Sequence, residues 1–283
     1  MLFFIGGLTD NIFTPPHTSA IAARLSLCWG LVEVQLTSSG RGFGTSSLRQ
    51  DAREIGECVE YFRSLGVDKV ALMGHSTGCQ DVMQYLVGSA NKSNPGAADA
   101  DEESHSRPAI QGAILQAPVS DREGMEVTGY DPDILWHAEE LAVELVKAGK
   151  GENVLPFELT RDVLDTTPTS AYRFLSLSQK GGDDDFFSSD LDDNMFAQTF
   201  GKISKGTKLC VLYSGRDEYC QEKLDKERLI GKWKAHVEEG TAGKEGWSDR
   251  SGVVEGASHS LKGDPQEVVD DMVQRVVGFL ESL

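Results

Sequence analysis

Short runs of nearly continuous apolar residues recur along the chain, separated by longer amphipathic stretches. Six of these runs predict β-strands: Leu2 to Ile5, Leu31 to Leu36, Lys69 to Met73, Ala113 to Ala117, Lys208 to Tyr213 and the weaker Gly252 to Val254. A strand that is apolar on successive residues has both faces covered, which is typical of a parallel sheet between two layers of helices.

Apolar residues at helical spacing fill the stretches between the runs. The clearest helix is predicted to begin after Ser47, which forms a capping-box pattern with Gln50, and to end at Gly66. A second helix is predicted after Gly78 and a third after Pro265. The apolar stripes of the three helices are Leu48, Ala52, Ile55, Val59 and Phe62; Val82, Met83, Leu86 and Val87; and Val268, Val269, Met272, Val276 and Phe279.

The alternation of strands and helices predicts an α/β fold with a mostly parallel, doubly wound sheet. Two stretches depart from the alternation. Residues 89–107 are rich in Ser, Asn, Gly, Ala and acids and are expected to form a flexible loop. Residues 122–205 hold helical patterns and an acidic run, and we expect them to form a helical lid inserted into a core of residues 1–121 and 206–283.

Charge and cysteine content narrow the class of protein. The formal net charge is -18, and because an acidic surface repels phosphate backbones we expect no nucleic-acid partner. No apolar stretch reaches the roughly 18 residues of a membrane span, and the apolar N-terminus is too short for a signal peptide. The five cysteines are odd in number and match no metal or redox motif, so we expect reduced thiols in a cytoplasmic protein.

A candidate nucleophile stands in the pentapeptide Gly74-His75-Ser76-Thr77-Gly78. This is the G-x-S-x-G pattern of a nucleophile elbow, in which a strained strand-to-helix turn exposes the serine hydroxyl. The two glycines are needed because a side chain two positions before or after the serine would crowd the turn. An apolar run leads into the motif and an amphipathic stretch leads out of it, so Ser76 is predicted to be the nucleophile of an α/β-hydrolase fold.

The general base of such an enzyme is a histidine that follows the acid in the chain. Of the six histidines, His236 and His259 lie late enough. His259 follows a short apolar run and a loop of small residues, which can carry the imidazole back over the serine. His236 lies in a charged helical setting, so the pattern favours His259.

The acid that orients the histidine is expected after the fifth strand. Asp217 follows the glycine turn at the end of that strand, and its neighbour Glu218 is a close alternative. Asp121, after the fourth strand, is a more distant candidate. The role of the acid is to set the imidazole tautomer and to stabilise the imidazolium.

The oxyanion hole requires backbone N–H groups that point at the tetrahedral oxygen. One donor is expected at Thr77, directly after the nucleophile. The second is expected in the loop after the first strand, where Gly6 and Gly7 let the backbone approach the substrate and Leu8 is the favoured donor.

Five longer segments are distinctive: 5–10 (IGGLTD), 74–81 (GHSTGCQD), 114–123 (ILQAPVSDRE), 171–177 (AYRFLSL) and 184–191 (DDFFSSDL). They resemble a fungal and plant hydrolase family long labelled only as unknown, which includes an intracellular fungal esterase of fusarinine-type siderophores. The resemblance spans nearly the whole chain.

The resemblance implies an α/β-hydrolase fold, hydrolysis of carboxylic esters, no metal or other cofactor in catalysis, and the triad Ser76, Asp217 and His259. Family members usually carry some tens of residues before the glycine opening, whereas this sequence opens at Met1, so we expect either a sheet with trimmed first strands or a sequence that is a shortened form of a longer chain. The small-molecule ester is expected to be a hydroxamate siderophore.

Alternatives remain open for the substrate and for the acidic segment. Asp184 and Asp185 are candidates for binding a cationic, ornithine-like substrate, and the alternative is a structural network that holds the lid. A lipase or thioesterase acting on other acyl groups is the rival enzyme. A hydrolase-like ligand-binding protein with an idle triad is the rival from another class.

Overall fold

A computed structural model describes residues 1–88 and 107–283. Within these ranges six strands form one sheet, and every neighbouring pair is parallel. The strands are β1 Leu2–Ile5, β2 Leu31–Val34, β3 Ala71–His75, β4 Gly112–Gln116, β5 Lys208–Ser214 and β6 Gly252–Val254. Each lies within two residues of its predicted run. The predicted parallel α/β sheet is confirmed.

The order of the strands across the sheet is β2-β1-β3-β4-β5-β6. The chain therefore winds first to one side of β1 and then, from β3 onward, to the other side. In doubly wound sheets ligands bind beyond the carboxyl ends of the strands at the point where the winding changes direction. Here that point lies between β1 and β3, where Gly7 and Ser76 follow the strand ends.

Helices cover both faces of the sheet. The α-helices of the described residues are α1 His17–Ala22, α2 Leu48–Ser64, α3 Gly78–Val87, α4 Asp121–Val127, α5 Pro132–Lys147, α6 Phe157–Leu164, α7 Ala171–Ser178, α8 Asp193–Gln198, α9 Lys226–Glu239 and α10 Gln266–Glu281. No helix in this part of the chain is long and apolar enough to cross a membrane.

Strand β1 shows why its sequence is apolar throughout. Phe3 and Ile5 pack into the core formed with α2, α3 and α9, whereas Leu2 and Phe4 pack into the core formed with α1 and α10. All four side chains are buried. Successive residues of a strand point to opposite faces, so a sheet with two covered faces requires apolar residues at every position.

Helix α2 begins as its sequence predicts, with one difference. The Ser47 side chain accepts a hydrogen bond from the backbone N–H of Gln50, as an N-cap does. The Gln50 side chain does not close the predicted capping box, because its amide donates instead to Glu54. The helix ends before Gly66, whose φ of +88° is readily adopted by glycine alone.

The chain between β4 and β5 divides into two parts. Helices α5 and α7 share a separate apolar cluster with Phe43. The aromatic residues that follow pack instead into the main core, where Phe187 and Phe200 contact Trp233 of α9. The predicted flexible loop at 89–107 lies, apart from Arg107, outside the described residues.

Candidate active site

Ser76 lies on a sharp turn between β3 and α3. Its φ is +53°, an uncommon value for a residue with a side chain. A Cβ atom on Gly74 would lie 2.3 Å from the carbonyl oxygen of Gly78, and one on Gly78 would lie 2.4 Å from that of Ile5. The elbow therefore excludes side chains at both glycine positions, which is the steric reason for the pentapeptide.

Three side chains from separate strand ends meet at this turn. The Nε2 atom of His259 lies 2.7 Å from Ser76 Oγ, and its Nδ1 atom lies 2.8 Å from Asp217 Oδ2. Asp217 follows β5 and His259 follows β6. With the proton on Nδ1 pointing at the carboxylate, Nε2 accepts the hydroxyl proton of the serine. The structure thus brings together the three residues that the sequence analysis selected.

The alternative residues lie elsewhere. Glu218 accepts a hydrogen bond from the backbone N–H of His259 at 2.9 Å, so it contacts the histidine loop and not the ring nitrogen. His236 on α9 lies 3.6 Å from Asp193. The carboxylate of Asp121 accepts hydrogen bonds from the side chains of Thr77 and Gln80.

The loop after β1 approaches the serine closely. A Cβ atom on Gly7 would lie 2.7 Å from Ser76 Cβ, so only glycine fits there. The backbone N–H of Gly7 donates to Asp10 Oδ2 at 2.8 Å. Within residues 1–88 and 107–283, the N–H groups of Leu8 and Thr77 donate to no protein acceptor, and both residues line the cavity beside Ser76. They are therefore free to bind an oxyanion.

The Ser76 hydroxyl faces a cavity of about 420 Å³, a volume typical of small-molecule sites. Apolar and aromatic side chains form much of its wall, among them Met125, Leu164, Tyr130 and Tyr219. Its described lining also includes the acids Asp10, Asp121, Asp165 and Glu218, and it includes no lysine or arginine. A described lining with four acids and no lysine or arginine favours a substrate that carries positive charge.

The structure corrects the expectation that Asp184 and Asp185 bind substrate. Asp184 is buried and ion-paired with Arg173, which is also buried. Asp185 accepts hydrogen bonds from Ser188 and from the N–H of Gly181. Neither aspartate lines the cavity. Their carboxylates are used within the protein, as in the structural alternative.

Replacement of Asp184 by asparagine is expected to lower the free energy of unfolding by about 3 kcal/mol, because it leaves the Arg173 guanidinium buried without its ion-pair partner. The KM for an ester substrate should stay unchanged. Chemical denaturation and steady-state kinetics measure the two quantities. Asp190→Asn is the matched control, since Asp190 forms exposed ion pairs in the same segment. A raised KM with unchanged stability would restore the substrate role.

Asp121 is expected to make the stability of the protein depend on pH. Burial and, after it, the nearby Asp184 carboxylate raise the pKa of Asp121 to about 7, although Arg173 opposes the rise. The folded chain therefore holds a proton that the unfolded chain loses at a lower pH. The stabilisation that this carboxyl group contributes to the folded state is complete at low pH and is lost as pH rises through about 7.

Replacement of Asp121 by asparagine should therefore give a Tm that varies less between about pH 5 and about pH 8 than that of the wild type. Asparagine is accommodated because its amide oxygen can accept from Gln80 Nε2, while its NH₂ group faces Thr77 Oγ1, a hydroxyl that can also accept. Thermal melts across this pH range measure the effect. The exposed Asp68→Asn is the control, and equal pH dependence in all three proteins would refute the assignment.

In the described part of the chain, no group of three or more His, Cys, Asp or Glu side chains is arranged to hold a metal ion. Most residues of the cavity wall were not predicted from the sequence. Tyr219, whose ring packs edge-on against the His259 imidazole at 4.7 Å, directly follows the candidate acids and was open to inference. Tyr130 and Asp165 come from the insertion and carry no local signal.

Comparison with known proteins identifies the family to which the chain belongs. Residues 1–281 match the family described as "Protein of unknown function (DUF1749)". The chain is 35% identical over 319 residues to the fusarinine C esterase sidJ of Aspergillus fumigatus, covering 100% of this chain and 89% of that protein. It is 32% identical to Esterase AN6793 of Emericella nidulans, with 99% and 85% covered.

Solved structures agree with this placement. The siderophore hydrolase EstB from Aspergillus fumigatus superposes with a TM-score of 0.82 at 32% identity, covering 99% of this chain and 89% of that chain. An α/β-hydrolase fold protein of unknown function superposes with a TM-score of 0.61 at 18% identity, with 99% and 87% covered, and shows the fold alone. The chain belongs to the family described as "Protein of unknown function (DUF1749)", and it is a carboxylic ester hydrolase of the α/β-hydrolase fold.

Proposed function

We propose that this enzyme is a serine esterase in which Ser76 is the nucleophile, His259 the general base and Asp217 the acid that orients the imidazole. The observation that carries the proposal is the unbroken chain of contacts from Asp217 through His259 to Ser76 Oγ, with separations of 2.8 Å and 2.7 Å. These side chains are supplied by three different strand ends and meet at the wall of a cavity.

The reaction proceeds by acyl transfer. His259 takes the hydroxyl proton as Ser76 Oγ bonds to the ester carbonyl carbon, and the carbonyl oxygen becomes an oxyanion held by the N–H groups of Leu8 and Thr77. The carbon–oxygen bond to the alcohol then breaks, and the imidazolium returns its proton to the leaving alcohol. Water, deprotonated by the same histidine, releases the acid from the acyl-enzyme.

The substrate of this proposal is a fusarinine-type siderophore, a hydroxamate iron chelator joined by carboxylic esters. The two relatives named for siderophore or fusarinine hydrolysis support it. The acid-bearing cavity wall supports it as well, because an ornithine-like substrate carries positive charge. Iron release from an internalised chelator would then be the setting of the reaction.

In this proposal the first part of the insertion covers the cavity. Met125 of α4, Tyr130, and Val163 and Leu164 of α6 line the cavity, whereas the residues after α7 pack into the main core. The lid is therefore assigned to α4 through α6, a shorter segment than residues 122–205. All five cysteines are unpaired, which supports the proposed location in the reducing cytoplasm.

Covalent labelling with a fluorophosphonate, followed by peptide mass spectrometry, tests the nucleophile. Label is expected on the peptide that contains Ser76. A panel of ornithine-derived hydroxamate esters, monoacylglycerols, thioesters and simple acyl esters tests the substrate. The siderophore ester should have a kcat/KM at least about tenfold above the others. Preference for another ester would overturn the substrate and leave the mechanism standing, whereas absence of label would overturn the mechanism.

A further inference from the structure

Gln116 ends β4 directly beside the elbow. Gln116 is buried, and it does not line the substrate cavity. The strand lies between β3, which leads to Ser76, and β5, which leads to Asp217. A buried amide at this place requires hydrogen-bond partners, and their identity shows what the residue does.

The Gln116 side chain contacts the last residue of β3, the last residue of β5 and the loop after β6, the three segments that lead to or carry the candidate triad. Its Oε1 atom lies 2.5 Å from Nδ1 of His75, the residue before the nucleophile. Its Nε2 atom donates to the backbone oxygen of His259 at 3.2 Å and to Ser214 Oγ at 3.4 Å. The Gln116 backbone oxygen also accepts from the N–H of Ser76 at 3.1 Å.

The direction of these bonds follows from the chemistry of the partners. The carbonyl oxygen of His259 only accepts, so the NH₂ end of the Gln116 amide must face it. The Oε1 end therefore faces His75, whose Nδ1 must carry the proton. Burial lowers the pKa of His75 well below its ordinary value, so this imidazole is neutral and the pattern is the same across the working pH range.

The histidine loop is short and leaves a three-residue strand. The backbone groups of His259 and Ser260 contact the side chains of Glu218, Gln116 and His17, and the Nδ1 atom of His17 lies 3.3 Å from the oxygen of Ser260. The ring of His17 also packs against the His75 ring at 5.4 Å, but of the three residues Gln116 alone hydrogen-bonds both to His75 and to the backbone of His259. One side chain thus joins the residue before Ser76 to the loop that carries His259.

We propose that Gln116 is a positioning residue of the esterase, which holds the Ser76 turn and the His259 loop at their reactive separation through one amide. This inference rests on the proposed function. It assigns Gln116 no contact with substrate, so its loss should lower kcat and leave KM unchanged.

The test is Gln116→Met, which keeps the volume and removes both ends of the amide. A displacement of about 1 Å between reacting groups costs about 100-fold in rate, and kcat and the rate of fluorophosphonate inactivation should both fall by about this factor. Gln111→Met is the matched control. Gln111 lies at the opposite end of β4 and accepts a hydrogen bond from the N–H of Val70 at 2.8 Å, so it also joins β4 to β3 but far from the triad.

Gln116→Asn provides a second variant that retains a polar group. Its shorter side chain cannot reach both His75 and His259, and kcat should fall by about tenfold, the worth of one hydrogen bond. Equal kcat in the wild type and both Gln116 variants would overturn the inference while labelled wild-type Ser76 upholds the mechanism. A kcat loss in Gln111→Met as large as in Gln116→Met would also overturn it, since a general effect on the sheet would then suffice. An unlabelled wild type overturns both proposals.

Discussion

Replacement of Ser76 by alanine is expected to lower kcat for ester hydrolysis by about 10⁴-fold or more, with the fold retained. The serine Oγ is the atom that bonds to the acyl carbon, and no other hydroxyl lies within hydrogen-bond distance of His259 Nε2 in the described structure. Alanine loses one oxygen and keeps the same backbone position, so the Tm should change by a few degrees at most. Steady-state kinetics and thermal melts check the two expectations.

Ser64→Ala removes the same atom at the exposed end of α2 and is the control for the substitution. Its kcat should equal that of the wild type. Hydrolysis by Ser76→Ala at more than about one hundredth of the wild-type rate would contradict the assignment, because the oxyanion hole and binding alone cannot supply that much catalysis.

Asp217→Asn and Glu218→Gln are expected to differ by about three orders of magnitude or more in kcat. Asparagine at position 217 can present its NH₂ group to His259 Nδ1 and thereby stabilise the wrong tautomer, which costs about 10⁴-fold in triads of this kind. Glutamine at position 218 keeps an oxygen that accepts the backbone N–H of His259, so its kcat should fall by about tenfold or less.

The pair of variants serves as its own control, since neighbouring acids receive the same isosteric change. Kinetics on one ester at a fixed pH compares them directly. A larger loss in Glu218→Gln than in Asp217→Asn would show that Glu218 orients the imidazole in solution. Equal small losses would show that neither acid is needed for the reaction.

The features that were predictable from the sequence depend on short-range patterns and on the steric limits of a few consecutive residues. The six strands were found because a doubly covered sheet makes every residue of a strand apolar. The elbow was found because a turn with Ser76 at a φ of +53° excludes side chains at Gly74 and Gly78. His259 was selected because triad order and loop composition left one rival, His236.

Choices between neighbouring residues of like chemistry were beyond the sequence. Asp217 and Glu218 are adjacent acids, and only the path of the His259 loop, which departs from a different strand, places one at the ring and the other at the backbone. Asp184 and Asp185 have the composition of a cation-binding pair. Only the folded structure shows that Arg173 of α7 forms an ion pair with Asp184 and so neutralises its charge inside the protein.

The sequence alone thus determined the sheet and predicted the elbow and the candidate nucleophile and base, because each depends on periodicity, on loop composition or on the steric limits of a few consecutive residues. The tertiary structure was needed to favour Asp217 over Glu218 as the proposed acid, to show which acids line the cavity and to bring Gln116 against His75 and His259. These depend on which distant segments meet, and segments such as those of Gln116 and His259 are 143 residues apart in the chain. The pattern of residues along a sequence does not show which distant segments come into contact in the folded chain.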